Sequence, residues 1–303
     1  MGDVIDKSDL RELQPEKDFF IGIDSDGCVF DSMELKHKEC FCPAFINHYR
    51  LQGACRQARE TWEFVNLYSR TRGLNRFKAV LEALRLLDAR PEVRQQIGTL
   101  MPTADLETWM AGETRLGGAV LEQYLNANRD SLSPDSILYT SLNWSNDVME
   151  AVEKIVHDLP PIAEAVATLP AISEQADCVV VSQTPSADLV REWQEHAIDP
   201  FPRLIAGQEQ GTKTEHLALA AGAKYAPGHV LMIGDAPGDH QAALDNGFLF
   251  FPIVPGQESE SWRALRETGL NHFFSETFAG TYQDSLLDAF YRSLPELPPW
   301  MIE

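Results

Sequence analysis

No apolar run in the 303-residue chain approaches the roughly 20 residues that a membrane span requires. Basic residues are scarce as well: 25 Lys and Arg stand against 46 Asp and Glu, and the formal net charge of -21 argues against nucleic acid and anionic membranes as partners. An anionic small molecule would need a local island of positive charge or a bound metal. Cysteine is limited to Cys28, Cys40, Cys42, Cys55 and Cys178, an odd number without CxxC spacing, which suggests neither a disulfide framework nor a zinc ribbon. The thiols are expected to be reduced. His37, Cys40, Cys42 and His48 match no familiar zinc-site spacing. Residues 1–17 are polar and acidic with no apolar core, and internal repeats and low-complexity segments are absent. A soluble cytoplasmic protein of about two domains is expected. Nothing in the sequence specifies an oligomeric state.

What is present is one short stretch around which the chain is organised. Phe19-Phe20-Ile21-Gly22-Ile23 is an apolar run that ends abruptly on Asp24 and Asp26. Such a run suits a strand of a parallel sheet covered by helices on both faces, and sheets of that kind bind ligands beyond the carboxyl ends of their strands. At about 3.3 Å per residue, carboxylates at i and i+2 project into one crevice, with Gly27 allowing a sharp turn. Two acids so close need a cation or a shared proton.

From residue 33 to 159 helical periodicity replaces strand character. Phe41, Phe45 and Tyr49 recur at helical spacing, Phe77, Val80, Leu81, Leu84 and Leu87 form a stripe stopped by Pro91, and further helices are expected around 104–110, 118–126 and 144–159. This reads as an all-helical insertion closed by Pro160-Pro161. From residue 160 onward helix and strand alternate, the pattern of a doubly wound (Rossmann-like) parallel α/β domain. Helices are expected at 162–169, 187–196, after Thr212, after Pro237 and at 282–294, and strands at 178–181, 204–206, 230–233 and 248–254. Pro252 demotes the last strand to an edge or a bend. The expected division is therefore an α/β core of 1–32 with 160–303 and a helical insertion of 33–159.

Three strand ends carry reactive side chains: Asp24 with Asp26, Ser182, and Asp235 with Asp239 on the helix that follows. Lys213 lies at a helix start between the last two. In a parallel sheet all three ends lie on one edge. Acids in that number call for a divalent metal, and hard oxygen ligands favour Mg²⁺. Ser182, Lys213 and Mg²⁺ together suit phosphate oxygens. Taken alone, Ser182 reads as a strand-end turn and Lys213 as a solvated helix residue.

These motifs resemble those of the haloacid dehalogenase superfamily, in the branch with a helical cap inserted after the first strand. Asp24-Ser25-Asp26-Gly27-Cys28-Val29-Phe30-Asp31-Ser32 is similar to the DxDGTLxDS opening of phosphoglycolate phosphatases and β-phosphoglucomutases, with Cys28 where Thr is usual. Ser182 matches the second motif, Lys213 the third, and Gly234-Asp235-Ala236-Pro237-Gly238-Asp239 the GDxxxD form of the fourth. The resemblance implies that Asp24 is the nucleophile of an aspartyl-phosphate mechanism and Asp26 its acid and base. It implies Mg²⁺ held by the Asp24 carboxylate, the Asp26 carbonyl and Asp235, with Asp239 in the outer shell or orienting Lys213. It further implies that Ser182 and Lys213 hold phosphoryl oxygens. The expected activity is a Mg²⁺-dependent phosphatase acting on a small phosphorylated metabolite. Alternatives are a phosphomutase of the β-phosphoglucomutase type, a dehalogenase-like hydrolase, and a binding module that has kept the fold without catalysis. Asp26 weighs against a dehalogenase, which has no alkoxide to protonate.

The resemblance does not reach the insertion. There Arg70, Arg72, Arg76 and Lys78 gather in a stretch without acids, and Gly73 is expected to separate two helices. Arg72 or Arg76 is the candidate for holding a substrate carboxylate or second phosphate.

Overall fold

A computed structural model describes residues 5–301, and these fall into two compact units, one of 5–33 with 158–295 and one of 34–157 with 296–301.

The first unit is built on a five-stranded parallel sheet: β1 (Phe19–Ile23), β2 (Ala176–Val181), β3 (Leu204–Ala206), β4 (Val230–Gly234) and β5 (Leu249–Pro252), in the order β3-β2-β1-β4-β5. The near-continuous apolar runs of β1, β2 and β4 follow from burial on both faces. Ile21, Ile23, Val180, Leu231 and Ile233 pack on one side with Ile172, Trp193 and Trp262, while Phe20, Val179, Val181 and Met232 pack on the other with Leu217 and Phe290. Each fully buried Val or Ile contributes about 1.5–3 kcal/mol of transfer free energy. Gly22 is required by space: a Cβ there would lie 2.9 Å from Leu217 Cδ2 and 3.1 Å from Met232 Sδ. β1 is the centre of the sheet, where connections leave to either side, the position at which open α/β sheets form their binding crevice. β5 is an edge strand ending at Pro252, as the missing N–H dictates.

One carboxylate is buried at the opposite end of β2. Asp177 accepts bonds from Arg203 Nη1 (2.7 Å), the Tyr225 hydroxyl (2.8 Å) and the amides of Glu16 and Lys17 (2.9 and 3.1 Å). Burial works to raise its pKa, but these donors hold it below the ordinary carboxylate range.

The second unit is helical throughout its described residues, with long helices at Cys55–Asn66, Arg76–Asp88 and Ile137–Ile155 around a core that includes Phe45, Trp62, Phe77, Trp109 and Trp144. Gly73, at φ 75°, lies in the turn between the first two. Three local expectations needed correction. The helix placed at 144–159 begins at Ile137, where the Ser136 side chain caps the Leu138 amide, and ends at Ile155 ahead of Asp158, whose φ is positive. The helix placed at 162–169 runs as Ala163–Gln175, with Pro170 on its exposed side and Ile172, about half a turn on, buried. Residues 296–301 group with the helical unit: the Trp300 ring lies 5.7 Å from that of Phe64, and the Arg90 guanidinium sits 4.5 Å over it.

Candidate active site

The parallel register brings the reactive residues level. Ile23 pairs with Val180 of β2 and Ile233 of β4, so Asp24 stands at the sheet edge with Ser182 and Asp235 each one residue further along their chains. The Asp24 amide continues the ladder by donating to Ile233 O at 2.9 Å. Beyond it the chain turns back on itself. Gly27 takes φ 75°, and the amides of Cys28, Val29 and Phe30 all converge on the Ser25 carbonyl. Cys28 is fully buried, a packing position. Trp193 Nε1 donates to Ser25 Oγ at 3.0 Å and fixes the residue between the two aspartates.

Carboxylate oxygens of Asp24, Asp235 and Asp239 all lie within 4.8 Å of one another, and all three residues are buried. Among the described residues this is the one such cluster of metal-type ligands. Lys213 Nζ sits 2.8 Å from Asp24 Oδ2 and 2.5 Å from Asp239 Oδ1. Its position is set by a capping box at the start of its helix, in which Thr212 Oγ1 accepts from the Glu215 amide while Glu215 Oε2 accepts from the Thr212 amide. Asp239 is held in turn by the Ala236 amide, which donates to Oδ2 at 3.0 Å, on a helix that Pro237 opens. It approaches the backbone so closely that a Cβ on Gly234 would fall 2.5 Å from its Cβ and Cγ.

The electrostatics are those of a site short of positive charge. Burial raises the pKa of Asp24 well above the ordinary range, and Asp239 and Asp235 push it further up against the pull of Lys213. Asp239 is raised by burial in the same way. Burial works against the charge on Lys213, but Asp239 and Asp24 outweigh it and raise its pKa. Three buried carboxylates against one ammonium leave an excess of two negative charges when all are ionised. One divalent cation cancels that excess, and an all-oxygen donor set suits a hard ion such as Mg²⁺.

The Asp26 carboxylate is not part of this cluster. Ser32 Oγ donates to its Oδ1, and Thr184 Oγ1 donates to its Oδ2 at 2.6 Å. The metal role expected for Asp26 involved its carbonyl and not this side chain. Ser182 is buried; its Oγ accepts from the Thr184 amide at 3.2 Å and keeps its hydroxyl proton to donate. Thr184 was not singled out from the sequence, although it lies two residues beyond Ser182 on the same strand end.

Arg72 and Arg76 belong to the helical unit and differ sharply. Arg72 is buried and donates from Nη1 to Leu67 O within its own loop. Arg76 donates to Ser145 Oγ at 3.2 Å and lies 5.6 Å over the Phe41 ring. Desolvation lowers its pKa, and among the described residues no carboxylate pairs with it.

No family model matches the chain and no curated protein matches it. Solved structures similar to it include a haloacid dehalogenase-like family hydrolase from Streptococcus pneumoniae (13% identity, 81% of this chain and 90% of that chain, TM-score 0.40). A candidate haloacid dehalogenase-like hydrolase from Bacteroides fragilis is 14% identical over 81% of this chain and 93% of its own, with a TM-score of 0.47. A protein described as a predicted phosphoglycolate phosphatase, from Haemophilus somnus, is 14% identical over 81% and 92%, with a TM-score of 0.40.

Proposed function

We infer that the protein is a Mg²⁺-dependent phosphatase of the haloacid dehalogenase type, hydrolysing a small phosphorylated metabolite through an aspartyl-phosphate. The observation that carries this reading is the cluster of Asp24, Asp235 and Asp239 with Lys213 at the carboxyl edge of a parallel sheet, charged as a cation site and set beside a separate carboxyl group, Asp26.

Asp24 and Asp235 would hold the ion, with the Asp26 carbonyl. Both Asp239 oxygens already accept bonds, from Lys213 and the Ala236 amide, which supports a role in orienting Lys213. The ion would supply the positive charge that keeps the buried Asp24 ionised and offsets its repulsion from an incoming phosphate. Asp24 attacks phosphorus in line, forming an Oδ–P bond as the ester P–O bond breaks. Asp26 gives its proton to the departing oxygen and then takes one from the water that hydrolyses the acyl phosphate, returning both aspartates to their starting state. Ser182 and Lys213 donate to the phosphoryl oxygens as negative charge builds on them. In the helical unit, Arg76 is the base best suited to hold a second anionic group of the substrate, because its own surroundings leave its charge uncompensated. Arg72, bonded within its loop, is the weaker candidate.

The test is hydrolysis of a generic aryl phosphate by wild type and Asp24→Asn, with Mg²⁺ and after chelation. Wild type with Mg²⁺ is expected to exceed either control by more than about a thousandfold. Equal, slow hydrolysis in all samples would remove the catalytic reading.

A further inference from the structure

Asp26 has two tasks in the reaction above, and both demand that one carboxyl oxygen face the position held first by the leaving oxygen and then by the attacking water. A free aspartate samples several rotamers. Here two hydroxyls fix it: Ser32 donates to Oδ1, and Thr184, in the loop after β2, donates to Oδ2 at 2.6 Å across 158 residues of sequence. Thr184 is itself built in. Its amide donates to Ser182 Oγ at 3.2 Å, and its carbonyl accepts from the Gln208 amide at 3.0 Å. Gly207 is glycine because a Cβ there would lie 2.6 Å from that carbonyl oxygen. The loops after β2 and β3 are tied again where Gln183 Nε2 donates to Gly211 O at 2.8 Å and the Ser186 hydroxyl to Gln210 Oε1 at 2.7 Å. The Thr184 hydroxyl thus hangs from a backbone held at both ends.

We propose that Thr184 is a positioning residue for the proton donor: it holds the Asp26 carboxyl in the rotamer that delivers a proton to the leaving oxygen. The inference rests on the phosphatase reading and goes beyond it. A hydroxyl that donates to Oδ2 takes up one lone-pair direction of that oxygen and no proton of the carboxyl, so the restraint is compatible with proton exchange. Nothing in the contact requires Thr184 to touch phosphate. Its effect is therefore confined to the step in which a proton moves.

The experiment measures kcat/KM for wild type, Thr184→Val, Thr184→Ser and Asp24→Asn on two substrates, an alkyl phosphate and dinitrophenyl phosphate. The ratio kcat/KM reports events up to the first irreversible step, here ester cleavage, and so excludes the later hydrolysis in which Asp26 acts as a base. An alkoxide must be protonated to depart, whereas dinitrophenolate leaves unaided. Thr184→Val keeps the shape and removes the donor. It is expected to lose about 30-fold on the alkyl ester and under about threefold on the dinitrophenyl ester, the worth of one hydrogen bond to a charged group. Thr184→Ser, which restores the hydroxyl, is expected to recover most of the alkyl rate. Equal losses on both esters, no loss on either, or failure of Thr184→Ser to recover activity would each overturn the proposal. An Asp24→Asn protein that still turns over either ester would instead overturn the phosphatase reading on which it stands.

Discussion

Lys213 is one ammonium facing two of three clustered buried carboxylates, and Arg76 is a half-buried guanidinium facing none among the described residues. The two cations therefore answer different needs. Lys213 has its charge offset within the protein, so on the phosphatase reading its part would be to steady the site and release one contact to the phosphoryl group. Among the described residues Arg76 has only a serine hydroxyl and an aromatic face, so an anionic ligand group would gain a charge-assisted bond there. Arg76→Ala is accordingly expected to raise KM for the preferred substrate by about 10- to 100-fold with little change in kcat, since a hydrogen bond to a charged group is worth about 1.5–3 kcal/mol. A panel of sugar, nucleotide and organic-acid phosphates identifies that substrate, and an unchanged KM would remove Arg76 from recognition.

At the scale of elements, the strand ends were readable because chemistry and periodicity coincide there. Runs such as Val179-Val180-Val181 and Leu231-Met232-Ile233 announce buried strands, and a polar residue stands at the sheet edge just beyond each, Ser182 directly and Asp235 after Gly234. Thr184 was not legible in the same way. Its partner Asp26 is remote in sequence, and Ser-Gln-Thr-Pro reads locally as a turn. Nor did the start at Ile137 show, because its signal is a serine cap and not a stripe. The close packing of strand and helix at Gly234 is the element-scale contact most open to test. Gly234→Ala would drive a methyl into the Asp239 side chain, so a loss of about 2 kcal/mol of stability is expected from overpacking. If the cluster holds Mg²⁺ as proposed, any rise in Tm on adding Mg²⁺ should shrink with it. A variant as stable as wild type, with the same response to Mg²⁺, would show that Asp239 is not confined as described.

For the whole molecule, the acid side of the stability profile carries a signature of burial. His216 is fully buried on the Lys213 helix, and among the described residues its ring nitrogens have no well-aligned partner, the Gly207 backbone giving only a weak contact. Desolvation, with Lys213 nearby, pushes its pKa down to about 4 from an ordinary 6.5, outweighing the opposite influence of Glu215. The unfolded chain thus takes up a proton that the folded one refuses. Stability should be unaffected above the ordinary value, fall as pH drops from 6.5 toward 4, and lose no more by this route below that. The full effect is at most about 3 kcal/mol. Asp177, held below the ordinary 3.8, adds a second loss as pH falls through its folded-state value. The clean measurement is the difference in unfolding free energy between wild type and His216→Leu, because the other titrations largely cancel in it. That difference should shift in favour of the variant across the window, and a pH-independent difference would contradict the assignment. With a net charge of -21, self-repulsion adds to the sensitivity of the whole chain to ionic strength.

The most direct measurement is rapid acid quenching of the enzyme during turnover of a phosphate ester with Mg²⁺, followed by peptide mapping by mass spectrometry. A single phosphoryl group on Asp24, labile to hydroxylamine and absent from Asp24→Asn, is the predicted result. Steady turnover with no phosphorylated peptide, or with the phosphoryl group on any other residue, would contradict it.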